Sequence, residues 1–479
     1  MLKSLPIGRR TALVAVLGLV TLSGCARFSP DYQRPTVDLP AGWAAAPGGT
    51  PAAPAAAQWW KIYGDAELER LIEEALAHNA NLSLAVARVD EARAQVGLAR
   101  ADQLPTVSAQ FDRSRTGTSR AVATPFPAGF PRDTNDYRGT LSVSYELDLW
   151  GRLRNLGTAA RAELLASESA RETVRIALAA DVAQGYFALR AFDEQIAVLR
   201  RVLASRSETI GLQAKRLQYG DISELDYRQL EAEAAAARAQ LPALERQRSA
   251  QENALAVLLG RSPRAIYAGA VERTAEAAGA QPPALGVPSG LPSELLLRRP
   301  DLVEAEQRMV ANNARIAVAR AAVFPSISLT GFLGSESATL ANLFTGPAGI
   351  WQLAAAATQP IFSGGRQQAG IAAAQARERQ ALAQYQQAIQ NAFKEVRNAL
   401  VAQAKLREQL EAEGQRAEAL RQALRLARLR YDNGLTSQLE VLDAERNLLA
   451  AEQNRIDALR AQRAAIADLF KALGGGWGA

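Results

Sequence analysis

The stretch Tyr431-Asp432-Asn433-Gly434-Leu435-Thr436-Ser437-Gln438-Leu439-Glu440-Val441-Leu442-Asp443-Ala444-Glu445-Arg446 decides how this chain folds. Glycine is the residue that best takes the left-handed conformation just past a helix C-terminus, so one helix should stop at Gly434. Ser437 with Glu440 three residues on is an S-x-x-E capping box, whose side chains satisfy each other's orphan backbone donors. A second helix should start there, and the two form a tight hairpin tip. The same tip occurs earlier: Gly220-Asp221-Ile222-Ser223-Glu224-Leu225-Asp226 matches Gly434 to Glu440 at a shift of 214 residues, Gly220 to Gly434. Two copies of one tip indicate an internally duplicated chain.

The chain has 479 residues, with 55 basic and 49 acidic side chains and a net charge of +6. The excess is small and no basic run is interleaved with aromatics, which argues against nucleic-acid binding. Cys25 and His78 are the single Cys and His. An intrachain disulfide and a Cys/His metal cluster are therefore excluded. No G-x-S-x-G elbow accompanies His78, and no nucleotide loop is present, so an enzyme is not expected.

The N-terminus reads as an address. Lys3, Arg9 and Arg10 precede the apolar run Thr11 to Leu22, and Leu22-Ser23-Gly24-Cys25 follows. The run is too short to span a bilayer and suits a signal peptide, residues 1–24. Small residues before Cys25 fit a bacterial lipobox, with a covalent lipid on the Cys25 sulfur; the alternative is an ordinary signal peptide that contains a Cys. Ala26 rather than Asp after the Cys leans towards the outer membrane. No later apolar run reaches eighteen residues, so any further crossing must use strands.

Residues 25–60 read as a linker rich in Pro, Ala and Gly. Trp59 and Trp60 should pack against a helical body, and Asp65 should cap a helix from Ala66 to Ala101. Thr106 to Arg115 alternates, Thr116 to Asp136 reads as a loop, and Tyr137 to Asp148 alternates cleanly. Tyr137, Leu141, Val143, Tyr145 and Leu147 share one face, and Arg138, Thr140, Ser142, Ser144 and Glu146 the other. Such a period of two fits a membrane barrel strand, and equally a soluble hairpin. Leu153 to Tyr219 is free of Pro and has helical spacing, enough for a helix of roughly 100 Å. A helix from Ser223 to Gly260 follows, with Pro242 expected to kink it. This repeat, residues 61–265, is followed by a linker at 266–292 and a second repeat at 293–474. The second repeat runs as a helix from Ser293 to Ala322, a strand from Pro325, a strand from Ile350 to Phe362, a long helix from Arg366 to Tyr431, and a last helix ending at Leu473-Gly474. Residues 475–479 form a tail.

The expected class is thus mixed α and β, mostly helical, with four strands. Four strands cannot close a membrane barrel, and an open sheet cannot sit in lipid with unpaired edges. Other copies must complete it: two would give about eight strands and three about twelve.

Several blocks carry a family resemblance. They are Leu22 to Cys25, Ser144-Tyr145-Glu146-Leu147-Asp148-Leu149-Trp150-Gly151-Arg152, Leu296 to Leu302, Phe324-Pro325-Ser326-Ile327-Ser328-Leu329-Thr330, Val441 to Arg446, and Lys471 to Trp477. In order and over nearly the full chain, the sequence resembles the TolC/OprM outer-membrane efflux family, and most of all its lipoprotein branch. The resemblance implies a homotrimer with a twelve-stranded barrel continuous with a periplasmic helical tunnel. It also implies two partners, a periplasmic adaptor and an inner-membrane resistance-nodulation-division pump. Carried over by position, it makes Leu439, Asp443 and Arg446 the periplasmic gate, where threefold rings would narrow the pore and repel anions. Spacing alone also fits a solvated helix with an Asp443–Arg446 pair. Gln229 and Ala232 replace Asp443 and Arg446 in the first repeat, so one hairpin per chain should carry the gate. The tips Gly220, Asp221, Ile222, Ser223 and Gly434, Leu435, Thr436, Ser437 are the expected adaptor-docking edges. The rival functions are a channel for protein secretion or metal export, and a periplasmic coiled-coil scaffold with no pore.

Overall fold

The computed structural model describes residues 32–36, 58–119, 121, 131–269, 271 and 297–475. The signal peptide, Cys25, most of both linkers, Ser293 and residues 476–479 lie outside them. The elements run α1 (Ala66–His78), α2 (Ala80–Ala101), β1 (Thr106–Gly117), β2 (Asp133–Leu147), α3 (Arg152–Gln218), α4 (Glu224–Leu258), α5 (Pro263–Ala268), α6 (Pro300–Ala321), β3 (Ser326–Ser337), β4 (Gly349–Thr358), α7 (Arg366–Asp432) and α8 (Gln438–Ala472). The duplication is visible in the lengths. Helices α3 and α7 have 67 residues each, and α4 and α8 have 35 each.

Several boundaries differ from the sequence expectation. The helix expected from Ala66 to Ala101 is broken at Asn79, which is extended. Its side-chain oxygen accepts from the backbone N–H groups of Asn81 and Leu82, so Asn79 caps α2. Its amide nitrogen donates to the Leu258 carbonyl at 2.8 Å, fixing the break against α4. Strand β2 starts at Asp133, inside the expected loop, because the ladder continues past the apolar band through polar pairs such as Thr116 with Thr134. Strand β4 ends at Thr358, before Pro360, which has no N–H to give a ladder. Helix α6 starts at Pro300, a residue preorganised for the first helical position, and the expected start at Ser293 lies outside the described residues. Helix α4 continues through Pro242.

The chain divides into two units. The first holds the sheet, whose order is β1-β2-β3-β4, antiparallel throughout. The central β2–β3 pair joins the two repeats. The register puts Ala109, Leu141, Leu333 and Trp351 in one row and Val107, Val143, Gly331 and Leu353 in another. Because side chains alternate, these rows lie on one apolar face. The opposite face carries rows such as Asp112, Arg138 and Glu336, and Ser108, Ser142, Phe332 and Gln352. Strands β1 and β4 each pair with one neighbour only among the described residues. The turn from β2 into α3 is closely tied. Arg152 donates to both oxygens of Glu146, at 3.0 and 2.6 Å, and Asp148 accepts from the backbone of Leu153 and Arg154. The Trp150 ring stacks on Phe324 at 5.0 Å and its indole donates to the Pro325 carbonyl at 2.7 Å. Small residues Ala159, Ala162, Ala311 and Ala314 let α3 and α6 approach closely.

The second unit has an aromatic core. Trp59 and Trp60 are buried as expected, and Trp59 stacks on Phe470 at 4.9 Å. Asp65 caps α1 and also accepts from the Tyr186 hydroxyl at 2.9 Å. Leu178, Val182, Leu189, Ile196 and Leu199 of α3 are buried, following the helical period read from sequence. Arg299 is buried and serves as a clasp. It donates to Asp301, to Glu395 at 2.8 Å and to the Ala472 carbonyl at 2.7 Å, closing the end of α8.

Candidate gate and docking tips

Both hairpin tips are built the same way. Gly220 (φ +79°) and Gly434 (φ +69°) take the left-handed conformation. The Asp221 N–H donates to the Arg216 carbonyl and the Leu435 N–H to the Arg430 carbonyl, at 2.9 and 2.8 Å. The Gly220 and Gly434 N–H groups donate to Leu217 and Tyr431. This pair of bonds is the Schellman motif, and it appears twice at the shift of 214.

The restart after each tip differs. Ser223 accepts from the Asp226 N–H at 3.1 Å and donates to its carboxylate at 2.7 Å. Ser437 stands at the N-cap of α8, but its side chain makes no capping bond. The expected Ser437–Glu440 box does not form, because the Glu440 carboxylate is taken by the Thr436 hydroxyl and by Arg430 at 3.0 Å. The second tip is thus closed from outside the box.

Leu439, Asp443 and Arg446 lie within two turns of α8. Leu439 is about half exposed (49%). Arg446 pairs with Asp443 at 2.5 Å, and its other terminal nitrogen lies 3.5 Å from Glu233 of α4. The position matching Asp443 is Gln229, so the carboxylate is present on one hairpin only.

Two ties between the hairpins were not anticipated from sequence. The first is Arg206 of α3, buried, which donates to the Glu233 carbonyl at 2.7 Å and faces the carboxylates of Glu233 and Glu445 at 3.6 and 3.7 Å. Glu445 also accepts from Arg428 of α7 at 2.7 Å. The second is the Tyr431 hydroxyl, which accepts from Gln213 at 3.1 Å and Arg216 at 3.2 Å. A signal for Arg206 was available: it follows Leu199 and Leu203 at helical spacing, so a cation interrupts an apolar seam. Further up the second hairpin, between α7 and α8, hydrogen bonds to Glu452 and Glu418 hold the Arg421 guanidinium above its ordinary pKa.

Between the tips lies a cleft of about 510 Å³, lined by Gln213, Asp221, Ser223, Tyr431 and Gln438 among others. The side-chain oxygens of Gln213 and Gln438 are buried with no hydrogen-bond partner among the described residues. Such groups cost free energy until a donor meets them.

Known proteins give a consistent answer. A family described as outer membrane efflux protein matches residues 71–261 and 291–475, one stretch per repeat. The antibiotic efflux pump outer membrane protein ArpC of Pseudomonas putida is 38% identical over 462 residues, 95% of this chain and 93% of ArpC. The cation efflux system protein CusC of Escherichia coli K12 is 35% identical over 460 residues, 95% of this chain and 97% of CusC. The crystal structure of the Campylobacter jejuni CmeC outer membrane channel superposes with a TM-score of 0.87 at 28% identity, covering 94% of this chain and 95% of CmeC. The duplicated hairpins, the four-stranded sheet and these matches together make the chain a member of the outer membrane efflux protein family, located in the outer membrane.

Proposed function

We propose that the protein is the outer-membrane exit duct of a tripartite efflux pump, working as a homotrimer. The observation that carries this reading is the sheet: it has one mostly apolar face, one mostly polar face and, among the described residues, two unpaired edges. In lipid such edges must be closed, and three copies supply twelve strands in a ring. The apolar face then meets lipid and the polar face lines the pore. The chemistry asked of the protein is passive, a water-filled path. The energy for transport comes from elsewhere, which implies an inner-membrane pump of the resistance-nodulation-division class and a periplasmic adaptor.

Three sites follow. Leu439, Asp443 and Arg446 act as the periplasmic gate, which the Arg446–Glu233 tie to the first hairpin supports. The tips Gly220 to Ser223 and Gly434 to Ser437 receive the adaptor, and the unpaired amide oxygens beside them favour a partner rich in donors. Cys25 carries the lipid. The signal peptide at 1–24, linkers at 25–60 and 266–292, and repeats at 61–265 and 293–474 complete the organisation. Relatives of near-equal identity have names that point to antibiotic and to cation efflux, so cargo is expected to be set by the pump and not by this chain. Crosslinking in detergent and planar-bilayer conductance test the reading; a monomer that passes no ions would overturn it.

A further inference from the structure

We propose that the polar face of the sheet carries a subsite for lipophilic organic cations, built from Phe332, Glu336 and Asp112 and occupied at rest by Arg138. The proposal rests on the reading of this face as the pore lining. Phe332 is out of place there. Directly across the ladder it stands between Ser142 and Gln352, with Thr330 and Gly334 beside it along β3 and Ile350 and Ala354 on the β4 diagonals. An aromatic ring turned towards water costs apolar exposure, so it needs a reason. The structure shows what the ring attracts: the Arg138 guanidinium lies 4.9 Å from its centroid. The same guanidinium is 3.8 Å from Glu336, and in the ladder Arg138 stands between Asp112 on β1 and Glu336 on β3. One cation is thus held by a π face and flanked by two carboxylate residues.

Arg138 is a tethered occupant, and the grip is loose. Its side chain and that of Glu336 remain 37% and 43% exposed, and the ion-pair distance is long. A free cation with apolar arms offers the ring and the carboxylates the same charge, plus apolar contact that arginine lacks. It would displace Arg138, dwell briefly and leave as the arginine returns. The row sits five residues from the end of β1, towards the loop joining β1 to β2, which is the end opposite the helices. This is therefore an exit-side subsite, separate from Leu439, Asp443 and Arg446.

The test uses purified full-length protein in planar bilayers, with tetraphenylphosphonium as probe and tetraphenylborate as its anionic counterpart of similar shape. The wild-type current should be blocked by the cation and not by the anion. Arg138→Ala removes the internal competitor and should lower the blocking concentration roughly two- to fivefold. Phe332→Leu, which keeps apolar volume without a π face, should abolish block while leaving conductance intact, and Glu336→Gln should weaken it. Unchanged block in Phe332→Leu, equal block by the anion, or a conducting wild type that is never blocked would overturn the subsite. Absence of conductance in every variant would overturn the channel reading instead.

Discussion

Arg206 on α3 and Glu445 on α8 face each other across 3.7 Å, and only 5% of the arginine side chain is exposed. This buried cation ties the first hairpin to the hairpin bearing the proposed gate residues. Without Arg206, Glu445 keeps Arg428 and Glu233 keeps Arg446, and losing the buried cation's hydrogen bond to the Glu233 carbonyl costs about 1–3 kcal/mol. Arg206→Ala should therefore lower the unfolding midpoint and, by freeing α8 from α3, raise single-channel conductance. A conductance equal to wild type would mean that this tie is structural only.

Asp443 should behave differently. Its pair with Arg446 is half exposed, and such pairs contribute about 0.5 kcal/mol. Asp443→Ala is expected to leave thermal stability almost unchanged while raising conductance and reducing cation preference. The ratio of cation to anion permeability, read from reversal potentials in a salt gradient, checks it.

Gly334 on β3 marks a close approach. A Cβ there would lie 2.1 Å from the Gly139 carbonyl oxygen of β2, well inside contact distance. Gly334→Ala should force β2 and β3 apart at the junction of the repeats and sharply reduce the folded, protease-resistant form in membranes. At Gly349 the nearest atom would be 3.6 Å away, so Gly349→Ala should be tolerated and serves as the control.

Glu74 gives a pH dependence outside the sheet. Hydrogen bonds from Arg261, at 2.7 and 3.1 Å, hold its carboxyl below the ordinary value of 4.5. A carboxylate depressed in the folded state stabilises above its unfolded pKa, and that contribution fades as pH falls through the folded value. The stability gap between wild type and Glu74→Gln, measured in urea, should be full at pH 6 and shrink below about pH 4.5. A gap that stays constant down to pH 3 would remove Arg261 as the cause.

What sequence revealed here depended on whether a signal was local. Gly220 and Gly434 announced the tips because a left-handed residue past a helix admits few types, and the shift of 214 carried through to the ends of four helices. Alternation in Tyr137 to Asp148 identified β2 because one face is apolar. It failed beyond Asp136, where both faces turn polar and the ladder leaves no pattern. Asn79 was missed because a polar side chain inside a long helical period looks solvated, whereas here it caps the following helix. The Ser437 box was read and did not form, since Thr436 and Arg430 compete for Glu440 from positions that spacing cannot rank. The gate assignment rested on resemblance, because Asp443 and Arg446 alone make an ordinary surface pair.

The matched helices, 67 with 67 and 35 with 35, impose a bookkeeping of their own on how such a chain can change. One residue added to a single leg would push that tip out by about 1.5 Å and swing it by about 100°, unseating the Tyr431 and Arg206 ties together. Lengthening or shortening is therefore open to this molecule only in step, all the legs of the stool being cut to the same measure.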